Sequence, residues 1–291
     1  MKIALHGRPF KNDSIFFIKK IIDQISSEKV ELIVYEPFFK HLRNKGLVTK
    51  ASTYKTQEDF PGADYIFSIG GDGTFLDTVT FSAKWKIPIL GINVGRLGFL
   101  ATVNEDNYSD LLTKILEKRY RIEERSLIRL ETETGLFGSL NFGLNECTIT
   151  KRDSASMIIV HAYIDGEFLN SYWADGLIIS TPTGSTGYSL SCGGPVVLPL
   201  TQNFIITPIS PHNLNVRPLL VPDSSTLTFE IEGRSKNFLV SLDSRSETVK
   251  PGVKLVVKKE SFNVRLIKLE MDSFLNTLRL KLHWGLDVRN Y

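Results

Sequence analysis

Sulfur chemistry has little to work with in this chain. There are two cysteines, Cys147 and Cys192, in 291 residues. Neither sits in a CxxC or Cys/His spacing, so no zinc site is indicated. Two thiols in so long a chain, with no signal peptide, point to a reducing cytoplasm. Charge of one sign is equally scarce: 35 Lys and Arg face 32 Asp and Glu, a net +3. With no long basic block, that balance argues against a nucleic-acid partner. No apolar run approaches the roughly 20 residues needed to span a bilayer, so no membrane role is expected. Low-complexity stretches and fixed-period repeats are missing. So are the two common nucleotide signatures, GxxxxGK[ST] and GxGxxG. What remains is an ordinary globular composition, 42% hydrophobic and 23% charged, in a chain long enough for about two domains.

One stretch organises the first half: Ser68-Ile69-Gly70-Gly71-Asp72-Gly73-Thr74. It follows an apolar strand run, Tyr65-Ile66-Phe67, and precedes a helical pattern carrying Phe75, Leu76 and Val79. A helix start has free N–H groups and a dipole that favours negative charge. Glycines there let a phosphate approach the backbone closely. A carboxylate in such a turn makes sense as a proton acceptor or as a partner to a metal. A plain βα turn with Asp72 as helix cap is the bland alternative.

Around this stretch, strand patterns alternate with helical ones. Lys2 to Gly7 and Val30 to Tyr35 read as strands, and Ile15, Ile18, Ile21, Ile22 and Ile25 as one helix face. Asp13 or Ser14 is the expected cap of that helix. Ile87 to Ile92 reads as the next strand, followed by a second glycine turn, Gly91 to Phe99. Such βαβ units build a mostly parallel sheet that binds ligands at its strand ends. Arg96 in the second turn reads either as a phosphate contact or as an exposed arginine.

From Tyr120 the pattern becomes alternating, with candidate strands at 137–142, 147–150, 157–164, 177–181, 204–209, 226–232, 237–242, 253–257 and 262–268. Asp165-Gly166 is a hairpin turn signal. The expected organisation is an α/β domain over 1–122, an antiparallel all-β domain over 123–268, and a segment 269–291 packing back on the first domain. Asp272 or Ser273 is the expected cap of a last helix. Three clusters here are unusually polar for scaffold. Asn145-Glu146 can hydrogen-bond base edges and ribose hydroxyls. Asp175-Gly176 follows Trp173. Ser180 to Pro195 is dense in hydroxyls and glycines, and Tyr188 within it could stack on an aromatic ring. Local turns are the bland reading of the first two clusters.

Together these residues resemble the NAD kinase family, in order over most of the chain. Gly70-Gly71-Asp72-Gly73-Thr74 resembles its GGDGT, Asn93 to Leu100 its second glycine loop, and Asn145-Glu146 its NE pair. Asp175-Gly176 resembles its DG, and Ser180 to Pro195 its TPTGSTAY segment with the following GGP. The resemblance implies a phosphofructokinase-like α/β domain with an antiparallel β domain. It implies transfer of the γ-phosphoryl group of ATP to the 2′-hydroxyl of the adenosine ribose of NAD, with a divalent metal, usually Mg²⁺. It implies a homodimer or homotetramer. Asp72 carries over as the proton acceptor, with Gly73 beside it. Asn145, Glu146, Asp175, Thr183, Thr186, Gly187, Tyr188, Ser189, Leu190 and Ser191 carry over as NAD contacts; metal and ATP residues are not identified. Gly187 departs from the family's usual Ala and is expected to widen the pocket. The competing readings are another GGDG-type kinase, for a lipid or sugar phosphate, and a dinucleotide-binding regulator without catalysis.

Overall fold

A computed structural model describes residues 1–28, 30–82, 85–105, 107–152, 156–269 and 273–284. The chain divides into two compact units, Met1–Glu124 with the chain from Val264 onward, and Arg125–Asn263.

The first unit is built on strands β1 (Lys2–Gly7), β2 (Glu31–Tyr35), β3 (Ser52–Tyr54), β4 (Tyr65–Gly70), β5 (Ile89–Asn93) and β6 (Arg121–Arg125). Its helices before residue 124 are α1 (Ile15–Ser27), α2 (Glu36–Asn44), α3 (Asp72–Ser82) and α4 (Leu111–Leu116). β3, β2, β1, β4 and β5 pair in parallel, as βαβ connections require. β1, β4 and β5 are buried almost throughout, because apolar residues cover both faces of the sheet. On one face lie Phe17, Ile18, Ile21, Ile22 and Ile25 of α1; on the other lie Tyr54, Phe60 and Ile87.

Ser14 does not cap α1 with its side chain; its hydroxyl donates instead to the Val94 carbonyl at 3.1 Å. Phe17 replaces the half-buried Ile15 on the helix's buried face.

The second unit starts with β7 (Ile128–Glu131) and β8 (Phe142–Gly143), followed by β9 (Glu146–Lys151), β10 (Ile158–Ile164) and β11 (Glu167–Ala174). Next come β12 (Gly176–Ser180), the short helix α5 (Tyr188–Ser191), β13 (Asn203–Ile209) and β14 (Leu219–Pro222). β15 (Leu227–Glu232), β16 (Phe238–Leu242), β17 (Arg245–Val249) and β18 (Lys254–Lys259) complete it. These strands form two six-stranded sheets, ordered β11-β10-β15-β18-β7-β8 and β14-β13-β12-β9-β16-β17. Inward residues such as Ile149, Val160, Ile179, Phe204, Phe229 and Val240 share one core. Asp165 and Gly166 both take positive φ in the β10–β11 hairpin, the turn their types favour.

The chain then returns to the first unit. β19 (Val264–Lys268) lies between β5 and β6 in the seven-stranded sheet, with Leu266 paired in parallel with Ile89. The strand expected at 262–268 is therefore parallel, not one of the antiparallel set. Nor is 137–142 a strand: Phe137 and Gly138 both have positive φ, and a 3-10 turn spans Gly138–Leu140. Helix α6 (Phe274–Leu282) follows β19, capped by Ser273, whose side chain accepts the Asn276 N–H. Asp272, the other expected cap, lies outside the described residues.

Candidate functional site

In the first unit, β4 ends at Gly70 and α3 begins at Asp72. The Asp72 carboxylate does not serve its own helix. Oδ2 accepts the Phe99 N–H at 2.9 Å, and Oδ1 accepts the N–H groups of Leu100 and Ala101 at 3.0 and 3.2 Å. This replaces the helix-cap reading of Asp72 and gives the second glycine loop its task. The loop is shaped by Asn93 at the end of β5. Its amide donates to the carbonyls of Arg96 and Ala101, and its oxygen accepts the Gly95 N–H. Gly98 is required by close approach, since a Cβ there would stand 2.1 Å from Asp72 Oδ1. Arg96 is exposed.

Lys281 of α6 brings its Nζ to 3.6 Å from Asp72 Oδ2 and lies 4.9 Å from the centre of the Phe99 ring. Phe274 packs on the same ring at 5.7 Å. A carboxylate offers about four lone-pair positions; three meet loop N–H groups, and the side chain keeps 29% of its surface exposed. Gly71 and Gly73 face open space, with nothing within 4 Å of a built Cβ. Beside them a cleft of about 720 Å³ is lined by Arg8, Lys11, Asp13, Ser14, Gly71, Thr74 and Gly95, among others. Arg8 also pairs with Asp77. A helix start, free glycines and two cations make this cleft suited to phosphate.

In the second unit, Asn145 and Glu146 stand at the start of β9. The peptide groups of 144–146 are fully engaged. Thr181 donates through its N–H to the Asn145 carbonyl at 2.8 Å and through its hydroxyl to the Leu144 carbonyl. Asp243, in the two-residue turn between β16 and β17, accepts the N–H groups of Leu144, Asn145 and Glu146. The Thr183–Thr186 turn packs directly on this corner. A Cβ on Gly184 would stand 2.2 Å from the Asn145 carbonyl oxygen. Two side-chain atoms, Asn145 Oδ1 and Glu146 Oε2, are buried without a hydrogen-bond partner among the described residues. Burial, reinforced by Asp243, pushes the Glu146 carboxyl up to about 8.

The remaining sequence candidates divide. Gly187 adjoins the corner: a methyl there would meet Glu146 Oε2 at 3.4 Å and the Gly184 carbonyl at 3.2 Å. Its absence leaves room beside Glu146. Thr183 is buried, with Arg125 Nη1 at 3.4 Å from its hydroxyl. Thr186 and Leu190 are half-buried, Ser191 is exposed, and Tyr188 is 42% exposed, free to stack on a ring. Asp175 pairs with Lys151 at 2.6 Å. Ser189 is turned the other way: it is fully buried and its hydroxyl bonds Thr207 at 2.9 Å. Its side chain therefore serves the fold, because a buried hydroxyl needs an internal partner. Sequence reasoning missed Asp243, Lys281, Arg8 and Lys11.

Two family models match: the ATP-NAD kinase N-terminal domain over residues 4–120 and the ATP-NAD kinase C-terminal domain over residues 144–269. The chain is 53% identical to the NAD kinase of Cytophaga hutchinsonii and 45% identical to that of Flavobacterium psychrophilum, each over the full length of both chains. Among solved structures, an NAD kinase from Archaeoglobus fulgidus in complex with ATP superposes with a TM-score of 0.74 at 26% identity, covering 97% of this chain and 99% of that one. Yeast NADH kinase complexed with NADH shares the fold, with a TM-score of 0.87 at 22% identity, covering 100% of this chain and 89% of the other. With both domain models and full-length relatives in agreement, this chain belongs to the NAD kinase family.

Proposed function

We propose that the chain transfers the γ-phosphoryl group of ATP to the 2′-hydroxyl of the adenosine ribose of NAD, with Asp72 as proton acceptor. The observation that carries this reading is the Asp72 carboxylate, fixed by three N–H groups yet exposed beside open glycines. As the ribose oxygen bonds to Pγ, its proton passes to Asp72, the bond from Pγ to the bridging oxygen breaks, and ADP leaves with that electron pair. Such transfers depend on positioning and charge stabilisation more than on covalent help. The cleft lined by Arg8, Lys11 and Thr74 is the proposed seat of the donor phosphates. The proposed NAD contacts are Gly73, Asn145, Glu146, Asp175, Thr183, Thr186, Gly187, Tyr188, Leu190 and Ser191, and the unpartnered oxygens of Asn145 and Glu146 support that reading.

Among the described residues no three His, Cys, Asp or Glu side chains cluster as a metal cage. We infer that Mg²⁺ would arrive carried on the triphosphate, with Asp13 of the cleft as a carboxylate able to share it. The ion would neutralise phosphate charge. No described helix is long and apolar enough to cross a membrane. A cytoplasmic homodimer or homotetramer is proposed. The free thiols of Cys147 and Cys192 support the compartment, and the exposed leucines Leu198, Leu200, Leu214 and Leu220 support the assembly.

The test incubates the protein with ATP, Mg²⁺ and NAD and reads NADP through an NADP-specific dehydrogenase. NADP formation is expected. Phosphorylation of sphingosine or diacylglycerol in place of NAD would overturn the reading, as would NAD binding without turnover.

A further inference from the structure

We propose that Asp243 is the positioning residue of the dinucleotide corner, acting on NAD through Asn145 and Glu146 without touching it. This rests on the reading of those two residues as NAD contacts. Asp243 Oδ2 accepts the Leu144 N–H at 2.8 Å, and Oδ1 accepts the N–H groups of Asn145 and Glu146 at 2.8 and 3.2 Å. In return the Asp243 N–H donates to the Glu146 carbonyl at 3.0 Å. The clasp is long-range and held in register, because Leu242 pairs with Cys147 one residue away. Asp243 takes φ +51, a conformation that Asp tolerates better than most residues. The residue is half-exposed at its turn, but its carboxylate points inward and is enclosed.

The clasp takes the three N–H groups of the corner, and Asn145 Oδ1 and Glu146 Oε2 stay buried without a hydrogen-bond partner among the described residues. It also sets a second carboxyl beside Glu146. Burial pushes both carboxyls up, but three N–H bonds and Arg245 hold Asp243 back. Glu146 is raised to about 8, with burial the larger cause and the neighbouring Asp243 the second. The other titratable neighbours are Cys147 of β9, whose thiol burial pushes up, Tyr188 of α5, whose phenol is also pushed up, and Asp175, which pairs with Lys151. At neutral pH the corner thus offers an amide acceptor beside a carboxylic acid donor, a pattern suited to ribose hydroxyls.

The experiment measures NAD affinity by titration calorimetry from about pH 6 to about pH 9, with kcat and KM alongside. Wild type is expected to lose affinity about tenfold per unit above its Glu146 transition near pH 8. Glu146→Gln, a permanent donor, is expected to lose that limb. Asp243→Asn keeps the size, removes the charge and sets an NH2 group where one oxygen accepts a backbone N–H. It should move the limb to lower pH and raise KM for NAD about tenfold at pH 7, while kcat changes less than about threefold. Asp243→Ser replaces it if Asp243→Asn fails to fold, with the same expected shift. A flat wild-type profile, or a limb that stays in place when Asp243 is neutralised, overturns the proposal, the latter outcome marking Asp243 as structural only. A wild type that binds no NAD at any pH overturns the NAD reading instead.

Discussion

Asp72 and Asp243 each accept three backbone N–H groups, in different surroundings. Asp72 takes its three from a loop 27 to 29 positions downstream, keeps 29% of its side chain exposed, and has the Lys281 ammonium at 3.6 Å. Asp243 takes its three from residues 97 to 99 positions upstream, is enclosed, and has a second carboxyl, Glu146, as neighbour. In the first case the N–H groups come to the carboxylate and fix a proton acceptor that still meets solvent. In the second the carboxylate comes to the N–H groups and fixes the backbone that carries two other side chains. The same set of hydrogen bonds can hold a reacting group or hold the platform for a binding group. Exposure and neighbouring charge decide which.

The sharpest way to break this contrast is to neutralise the exposed member. Asp72→Asn should lower kcat about 10²–10⁴-fold, the usual worth of a positioned base, with NAD affinity retained. Next, Gly98→Ala leaves Asp72 in place but drives a methyl to 2.1 Å from Oδ1. Steady-state kinetics should show a kcat loss of about 10²-fold, as for a displacement of about 1 Å. The matching probe of the second unit is Gly184→Ala, where a methyl would stand 2.2 Å from the Asn145 carbonyl, a backbone atom that cannot turn aside. There KM for NAD should rise about tenfold with a smaller change in kcat, plus ~1–3 kcal/mol of lost stability in denaturant melts. The smallest effect belongs to Lys281→Ala. That pair is about one-third exposed on both sides, so the loss in kcat should stay under about fivefold, equivalent to ~1 kcal/mol, and Lys281→Arg should restore it.

Legibility in sequence followed distance along the chain. The glycine turn at 70–74 and the NE, DG and TPTG clusters could be read because their residue types are local and rare. The clasps could not. Nothing near Asp72 says that residues 99–101 will supply its N–H groups, and Asp243 lies in an ordinary two-residue hairpin turn. Gly98 was visible as a glycine, but its reason, a carboxylate 2.1 Å from its missing Cβ, exists only in the fold. The parallel character of β19 was hidden for a related cause. Val264-Arg265-Leu266-Ile267 begins as an alternating edge pattern, yet Leu266, Ile267 and Lys268 are all buried, because the strand is inserted between β5 and β6. Ser189 shows the converse case. A hydroxyl in a hydroxyl-rich loop reads as a ligand contact until Thr207 is seen beneath it.

The most direct test of this division measures kcat and the NAD dissociation constant for Asp72→Asn and Asp243→Asn in one series. The account predicts that Asp72→Asn loses turnover with affinity kept, and that Asp243→Asn loses affinity with turnover at saturating NAD largely kept. Equal losses of both quantities in both variants would contradict it.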